Sequence, residues 1–234
     1  LVVLRPRVTS NQVNFVNQQR QAPVGSLVIY GAWYYARVVA ETARLCGWTV
    51  AGFIDPDPPE WSETLQTYPD QAHAIVAIGD NALRAAIGRK LQAGGRLLTS
   101  IYHPSASISP SATIGEGCYI AEHATVRTNS HVGTGSLLNS GSIVSHDCHV
   151  GEFVSFGPNA ALAAHVRIGD GTLLGVGANV RPHCQIGPNC TIGAGAAVIG
   201  DLSPNQHVAG VPAKPIALTI RPEKQSDWHN HEIW

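Results

Sequence analysis

Every sixth residue from Ile108 to Val198 is aliphatic or Phe. The series runs Ile108, Ile114, Ile120, Val126, Val132, Leu138, Val144, Val150, Phe156, Leu162, Ile168, Leu174, Val180, Ile186, Ile192 and Val198. The fifth place of each hexad is compact from Ala112 and Cys118 through to Ala196, and only the last, Leu202, is large. A fixed period means one structural unit stacked on copies of itself. Six residues are too few for a helical repeat and suit a short strand plus a corner. The expectation is a parallel β-helix. The large residue fills the bore, and the small one points inward beside a corner. Gly after the large residue, as in Ile114-Gly115 and Ile168-Gly169, eases the bend. Three hexads close a triangular coil, so residues eighteen apart stack. A disordered low-complexity stretch has no reason to hold a bulky apolar residue in register over sixteen hexads.

Composition narrows the function. The net charge is −1. That balance argues against broad electrostatic binding of nucleic acid or membrane. No apolar run is long enough to span a bilayer, and no secretory signal is evident. The sequence opens on Leu1, so a native start upstream is expected. Cys118, Cys148, Cys184 and Cys190 all fall at the compact inward place, which suits core fillers better than disulfides or zinc ligands. A fifth, Cys46, lies in a helical segment. A reducing, cytoplasmic setting follows as an expectation.

Upstream of the repeat the period changes. Residues 1–24 are rich in Gln, Asn and Pro and read as a mobile tail. Leu27–Tyr30, Val50–Ile54, Ala74–Ile78 and Arg96–Ile101 read as four strands. Between them lie two helical patterns. The first offers Val38, Val39, Thr42, Leu45 and Cys46 to one face, and the second, from Asn81 to Ala93, offers Leu83, Ala86, Ile87 and Leu91. The alternation predicts a small parallel α/β sheet. Ligands of such sheets sit at the carboxyl ends of strands. Those ends carry Gly31, Asp55 and Gly79-Asp80-Asn81. A dinucleotide fingerprint is absent, because Trp33 and Tyr35 replace its later small positions, so a redox cofactor is not expected. The same residues also suit tight turns.

The segments "LVIYGA", "VAGFIDPD", "VAIGDN", "HPSASISPSATIGEG", "LLNSGSIVSHDCHVGEF" and "VAGVPAKPI" carry a resemblance. Over Leu27 to about Ile216 the chain resembles the bacterial sugar acetyltransferases of the sialic-acid and bacillosamine type. The resemblance implies a Rossmann-like α/β domain over 25–103 and a left-handed parallel β-helix over 104–216, with a C-terminal extension at 217–234. It implies acetyl transfer from acetyl-CoA to a sugar amine or hydroxyl, often on a nucleotide-linked amino sugar. It also implies a homotrimer with sites between neighbouring β-helices.

Residue by residue, the resemblance makes His146 the general base, with Asp147 orienting its ring. Asn139 would position the acceptor. Gly31, Trp33, Tyr34, Tyr35, Asp55, Gly79, Asp80 and Asn81 would line the acceptor's nucleotide end. Ser155, Ala164, Val176, Ala194 and Lys214 would meet acetyl-CoA. The chain departs from the family at three of these places, one of them Ala164, which replaces a frequent Gly. Ser155 stands where a relative carries His, and Trp33-Tyr34-Tyr35 stands where small residues and His are usual. Those aromatics either crowd the nucleotide pocket or stack on a different ligand.

The period also predicts stacked histidines, His131 on His149 and His165 on His183. A metal site of the β-helical carbonic anhydrase type needs two histidines five apart, a spacing that is missing here, so no metal is expected. The readings left open are N-acetyl transfer, O-acetyl transfer to a sugar or amino-acid hydroxyl, and a non-catalytic trimeric scaffold.

Overall fold

A computed structural model of the chain describes residues 25–31, 34–54 and 73–217. The expected tails at 1–24 and beyond 217, together with Trp33 and Asp55, lie outside the described residues. The N-terminal unit contains β1 (Ser26–Tyr30), α1 (Tyr34–Leu45), β2 (Thr49–Ile54), β3 (His73–Val76) and α2 (Asn81–Ala93). Its sheet is parallel, with three strands in the order β2-β1-β3. The expected fourth strand does not form. Leu98 makes a single bridge to Ala74, and Ile101–Tyr102 belongs to the β-helix instead. The reason lies in Ile101, whose backbone N–H donates to Cys118 O at 2.8 Å, as every later coil does to the next.

From Ile101 onward the chain is a parallel β-helix of two-residue strands. Leu137–Leu138 pairs with Tyr119–Ile120 above and Ser155–Phe156 below, a register of eighteen. Three faces result. The first runs through Leu137–Leu138, the second through Ile143–Val144 and the third through His149–Val150. Most of the large hexad residues, among them Val132, Leu138, Val144 and Phe156, are buried in the bore. Full burial of each such side chain contributes about 1.5–3 kcal/mol.

The compact inward place has a second role that its size alone does not reveal. Ser136 Oγ donates to Gly151 O at 3.1 Å and accepts from Val154 N–H at 3.1 Å. Ser130, Thr172 and Cys148 make the same donation to a carbonyl fifteen residues on. These atoms therefore stitch successive coils through backbone groups that the corner would otherwise leave unpaired. The five described cysteines are free thiols. Burial pushes the Cys118 thiol up to about 12, so it stays protonated and donates to Gly133 O.

The exception at Leu202 also has a structural cause. Leu202 bridges Ile186, and Val208 pairs with Ile192, both sixteen residues apart. The last coil is two residues short, which moves Leu202 from the compact place to the wide one.

The two units share a seam. Helix α1 turns Ala36, Val39, Ala40, Thr42 and Ala43 inward, while Val38 and Leu45 stay exposed. The small side chains win because they allow close approach to Ile101, Tyr119 and Leu137 on the first face. Thr42 Oγ1 lies 2.9 Å from the Tyr119 hydroxyl. Helix α2 buries Arg84, Ile87, Gly88 and Leu91, and Leu83 is exposed. Gly88 is needed there, since a Cβ would stand 2.9 Å from the Phe153 ring. No described helix is long and apolar enough to cross a membrane.

Candidate active site

His146 and Asp147 form the corner between the second and third faces. Asp147 takes a left-handed backbone, with φ of 57°. Asp tolerates this conformation better than most residues. The turn swings its carboxylate beside its neighbour's ring, and His146 Nδ1 lies 2.7 Å from Asp147 Oδ2. Asn129, one coil earlier, donates to Asp147 Oδ1 at 3.2 Å. The hydrogen bonds from His146 first and Asn129 second hold the Asp147 carboxyl below its ordinary value. An ionised Asp147 accepts the Nδ1 proton and leaves the Nε2 lone pair free for a substrate. Both side chains are solvent-accessible.

One coil later His165 sets its ring edge against His146, with centroids 5.4 Å apart. The two expected stacks are present, His131 on His149 and His165 on His183, each at 4.8 Å. His146, Asp147 and His165 offer ligand atoms within 4.8 Å of one another. This grouping comes from adjacent rungs, not from the five-residue spacing sought in the sequence. The short Nδ1–Oδ2 contact would have to open for a cation to take both groups.

Asn139 occupies the other end of the same face segment, at the corner between the first and second faces. Its backbone is tied to Phe156 O and Ser142 N, and its side chain has no partner among the described residues. A shallow groove of about 350 Å³ runs down the second face, lined by Ala161, Ala163, Asn179, Arg181, Ala197 and Ile199. Three of the residues expected to meet the cofactor lie on the corners that flank this face. Ala164 lies one coil below His146, and the exposed Val176 and Ala194 lie on the opposite corner. Lys214 is exposed at the foot, where Ala213 N–H donates to Ala197 O at 2.8 Å.

Ser155 does not join this group. It lies on the first face, buried in the seam, and donates to Asn81 Oδ1 at 2.6 Å. The structure thus brings two expected ligand contacts onto each other. Asn81 spends its amide N–H on Gly171 O and Thr172 O. Both bond to Arg84, a residue the helical pattern did not single out. Arg84 is fully buried, and burial lowers its guanidinium to about 10.

The strand ends divide in the same way. Gly31 has φ of 128°, and a Cβ there would stand 2.6 Å from Ala77 O, so packing alone requires glycine. Gly79 is different, since a Cβ would meet nothing within 4 Å among the described residues. Asp80 is exposed and caps α2 by accepting from Leu83 N–H at 2.8 Å. These two residues border a larger groove of about 660 Å³, shared with Arg89, Glu152, Asp170 and Asn189. It runs along the corner between the third and first faces, away from His146 of the same chain. Tyr34 is exposed under Arg37. Tyr35 turns into the seam with its ring edge-on to Tyr119 at 5.8 Å. Its hydroxyl is enclosed without a partner among the described residues, and burial raises it well above the ordinary phenol value.

Residues 26–91 match a family profile described as the PglD N-terminal domain, and residues 165–200 match one described as bacterial transferase hexapeptide. Solved structures agree. PerB from Caulobacter crescentus, in complex with CoA and GDP-perosamine, is 37% identical, covering 83% of this chain and 99% of that one, with a TM-score of 0.79. The acetyltransferase domain of PglB from Neisseria gonorrhoeae, in complex with acetyl coenzyme A, is 33% identical, covering 82% and 99%, with a TM-score of 0.77. WeeI from Acinetobacter baumannii shares the fold at 21% identity and a TM-score of 0.62. No curated protein sequence matches the chain.

Proposed function

The chain belongs to the sugar N-acetyltransferases that join a PglD N-terminal domain to a hexapeptide β-helix, and from this premise we infer that it moves acetyl from acetyl-CoA to the amine of a nucleotide-linked amino sugar. The observation that carries the reading is the 2.7 Å His146–Asp147 pair on a corner that overlooks the groove of the second face.

The chemistry follows from that placement. Acetyl-CoA lies along the groove with its phosphates toward Lys214 and its thioester toward the His146 corner. The neutral sugar amine attacks the thioester carbonyl. As the C–N bond forms, His146 Nε2 removes a proton from the nitrogen. Asp147 keeps the ring in the right tautomer and stabilises the imidazolium. Collapse of the tetrahedral intermediate breaks the C–S bond and releases CoA thiolate, which recovers the proton from His146. Asn139, with an amide free of partners among the described residues, holds the sugar.

The acceptor's nucleotide end lies at Gly79-Asp80, whose open rim has room for it. Within one chain this rim and His146 lie on different sides of the triangular coil. An acceptor held at the rim therefore reaches the His146 of a neighbouring copy. A homotrimer supplies that neighbour, and the flat faces of the coil suit such packing. Five free thiols fit a reducing, cytoplasmic setting.

The test is thiol release from acetyl-CoA against a panel of nucleotide-linked amino sugars, nucleotide-linked neutral sugars and free amino sugars. Turnover restricted to amine-bearing acceptors supports the proposal. Turnover on hydroxyl acceptors alone would replace it with O-acetyl transfer.

A further inference from the structure

We propose that Arg84 is the positioning residue of the acceptor site: it fixes the open strand end at Gly79 to the β-helix and so sets where the acceptor's nucleotide sits relative to the coils. The proposal rests on the reading that the nucleotide binds at this strand end.

Arg84 has 0% exposure, yet it lies between two units that each supply three acceptors. On the α/β side, Nη1 donates to Ile78 O at 2.7 Å and Gly79 O at 3.3 Å, and Nη2 donates to Asn81 Oδ1 at 2.6 Å. On the β-helix side, Nε donates to Gly135 O at 2.8 Å, and Nη2 donates to Phe153 O at 2.9 Å and Ser155 Oγ at 3.0 Å. The five N–H groups of a guanidinium are thereby all engaged. Among the described residues no carboxylate contacts it.

A buried cation that no carboxylate contacts among the described residues is a costly way to fill space. Desolvation opposes it, and the hydrogen bonds to its six acceptors offset that cost. What the guanidinium adds is direction. Its rigid planar fork grips both carbonyls of the Ile78–Gly79 strand end from behind and ties them to two coil corners. The free side of Gly79 meets nothing within 4 Å among the described residues. The strand end is thus held on one side and available to a ligand on the other. Ser155 and Asn81 complete the clamp through their own 2.6 Å bond. A shifted strand end loosens the contacts to the nucleotide and leaves the acetyl-CoA groove on the second face untouched, so the loss falls on acceptor binding.

The experiment measures steady-state kinetics of Arg84→Lys, Arg84→Met and Ser155→Ala with acetyl-CoA and the wild type's best nucleotide-linked amino sugar. Titration calorimetry with the matching nucleoside diphosphate accompanies it. Lys keeps the charge but loses the fork. The expected result for Arg84→Lys is a rise of about tenfold in acceptor KM, with acetyl-CoA KM changed by less than about twofold. Ser155→Ala, which leaves the charge in place, should show the same split at about threefold. Nucleoside diphosphate binding should weaken in parallel.

A fall in kcat alone, with both KM values and nucleotide binding unchanged, would reduce Arg84 to a structural role and overturn the proposal. A rise in acetyl-CoA KM for Ser155→Ala would return Ser155 to the cofactor site and overturn it too. If the Arg84 variants do not fold, Ser155→Ala decides. A wild type that neither acetylates nor binds any nucleotide sugar fails before the variants are compared, and that result overturns the acceptor reading and this proposal with it.

Discussion

His146 and Asp147 are neighbours in sequence whose side chains meet at 2.7 Å because Asp147 carries a left-handed backbone. Adjacent residues in extended chain point to opposite sides. The corner reverses that relation and turns a dipeptide into an acid–base pair.

The pair makes the first prediction. Asp147→Asn keeps the turn, since Asn also accepts positive φ, but removes the charge that fixes the Nδ1 proton. The expected effect is a fall in kcat of about 10–10³-fold with little change in either KM. Steady-state kinetics check it. A variant within twofold of wild type would separate Asp147 from the chemistry.

A second prediction concerns the stitches between coils. Ser136 Oγ bridges two backbone groups, whereas Ser142 Oγ is buried with no partner among the described residues. Ser136→Ala should cost about 1–3 kcal/mol, because it leaves buried groups unpaired. Ser142→Ala should cost nothing or stabilise. Paired urea melts distinguish the two. Equal losses would mean that the inward hydroxyls only fill space.

Tyr35 gives a related test. Its hydroxyl is enclosed without a partner among the described residues. Tyr35→Phe should leave the melting temperature unchanged or raise it, since the phenyl ring keeps its edge-on contact with Tyr119. A clear loss of stability would show that the hydroxyl has a partner in the assembled protein.

The fourth prediction is a pH effect. Burial first and the neighbouring His149 second lower the His131 imidazole below its ordinary value. The unfolded chain therefore binds a proton at His131 more readily than the folded one. The folded form loses nothing above the unfolded value of about 6.5 and is destabilised as pH falls below it, until the lowered folded value is passed. His131→Gln should flatten that part of the stability profile. Denaturant melts between neutral and mildly acidic pH measure it, and an unchanged slope would contradict the assignment.

Much of the β-helix was legible because its register is arithmetic. Once the large residue recurs every sixth position, pairing at eighteen follows, and with it the histidine stacks. Asn129 and His165 were readable in the same way, each eighteen residues from Asp147, but only after Asp147 was known to turn toward His146. Leu202 was a visible irregularity whose cause, a coil of sixteen, needed the pairing itself. The seam was the least legible part. A helical pattern ranks Leu83 above Arg84 for burial, because hydropathy does not register six oriented acceptors around one guanidinium. The one available signal was that Arg84 shares a stripe with Ile87, Gly88 and Leu91. The seam contacts of Ser155 were illegible for the same reason, since its hydroxyl bonds Asn81 and Arg84 from another unit of the chain.

The central claim is that His146 is the general base of acetyl transfer, and turnover of His146→Ala tests it most directly. The variant should keep the wild-type fold and bind acetyl-CoA normally, while kcat for the amino-sugar acceptor falls by about 10²–10⁴-fold. A folded His146→Ala protein with near-normal turnover would contradict the account.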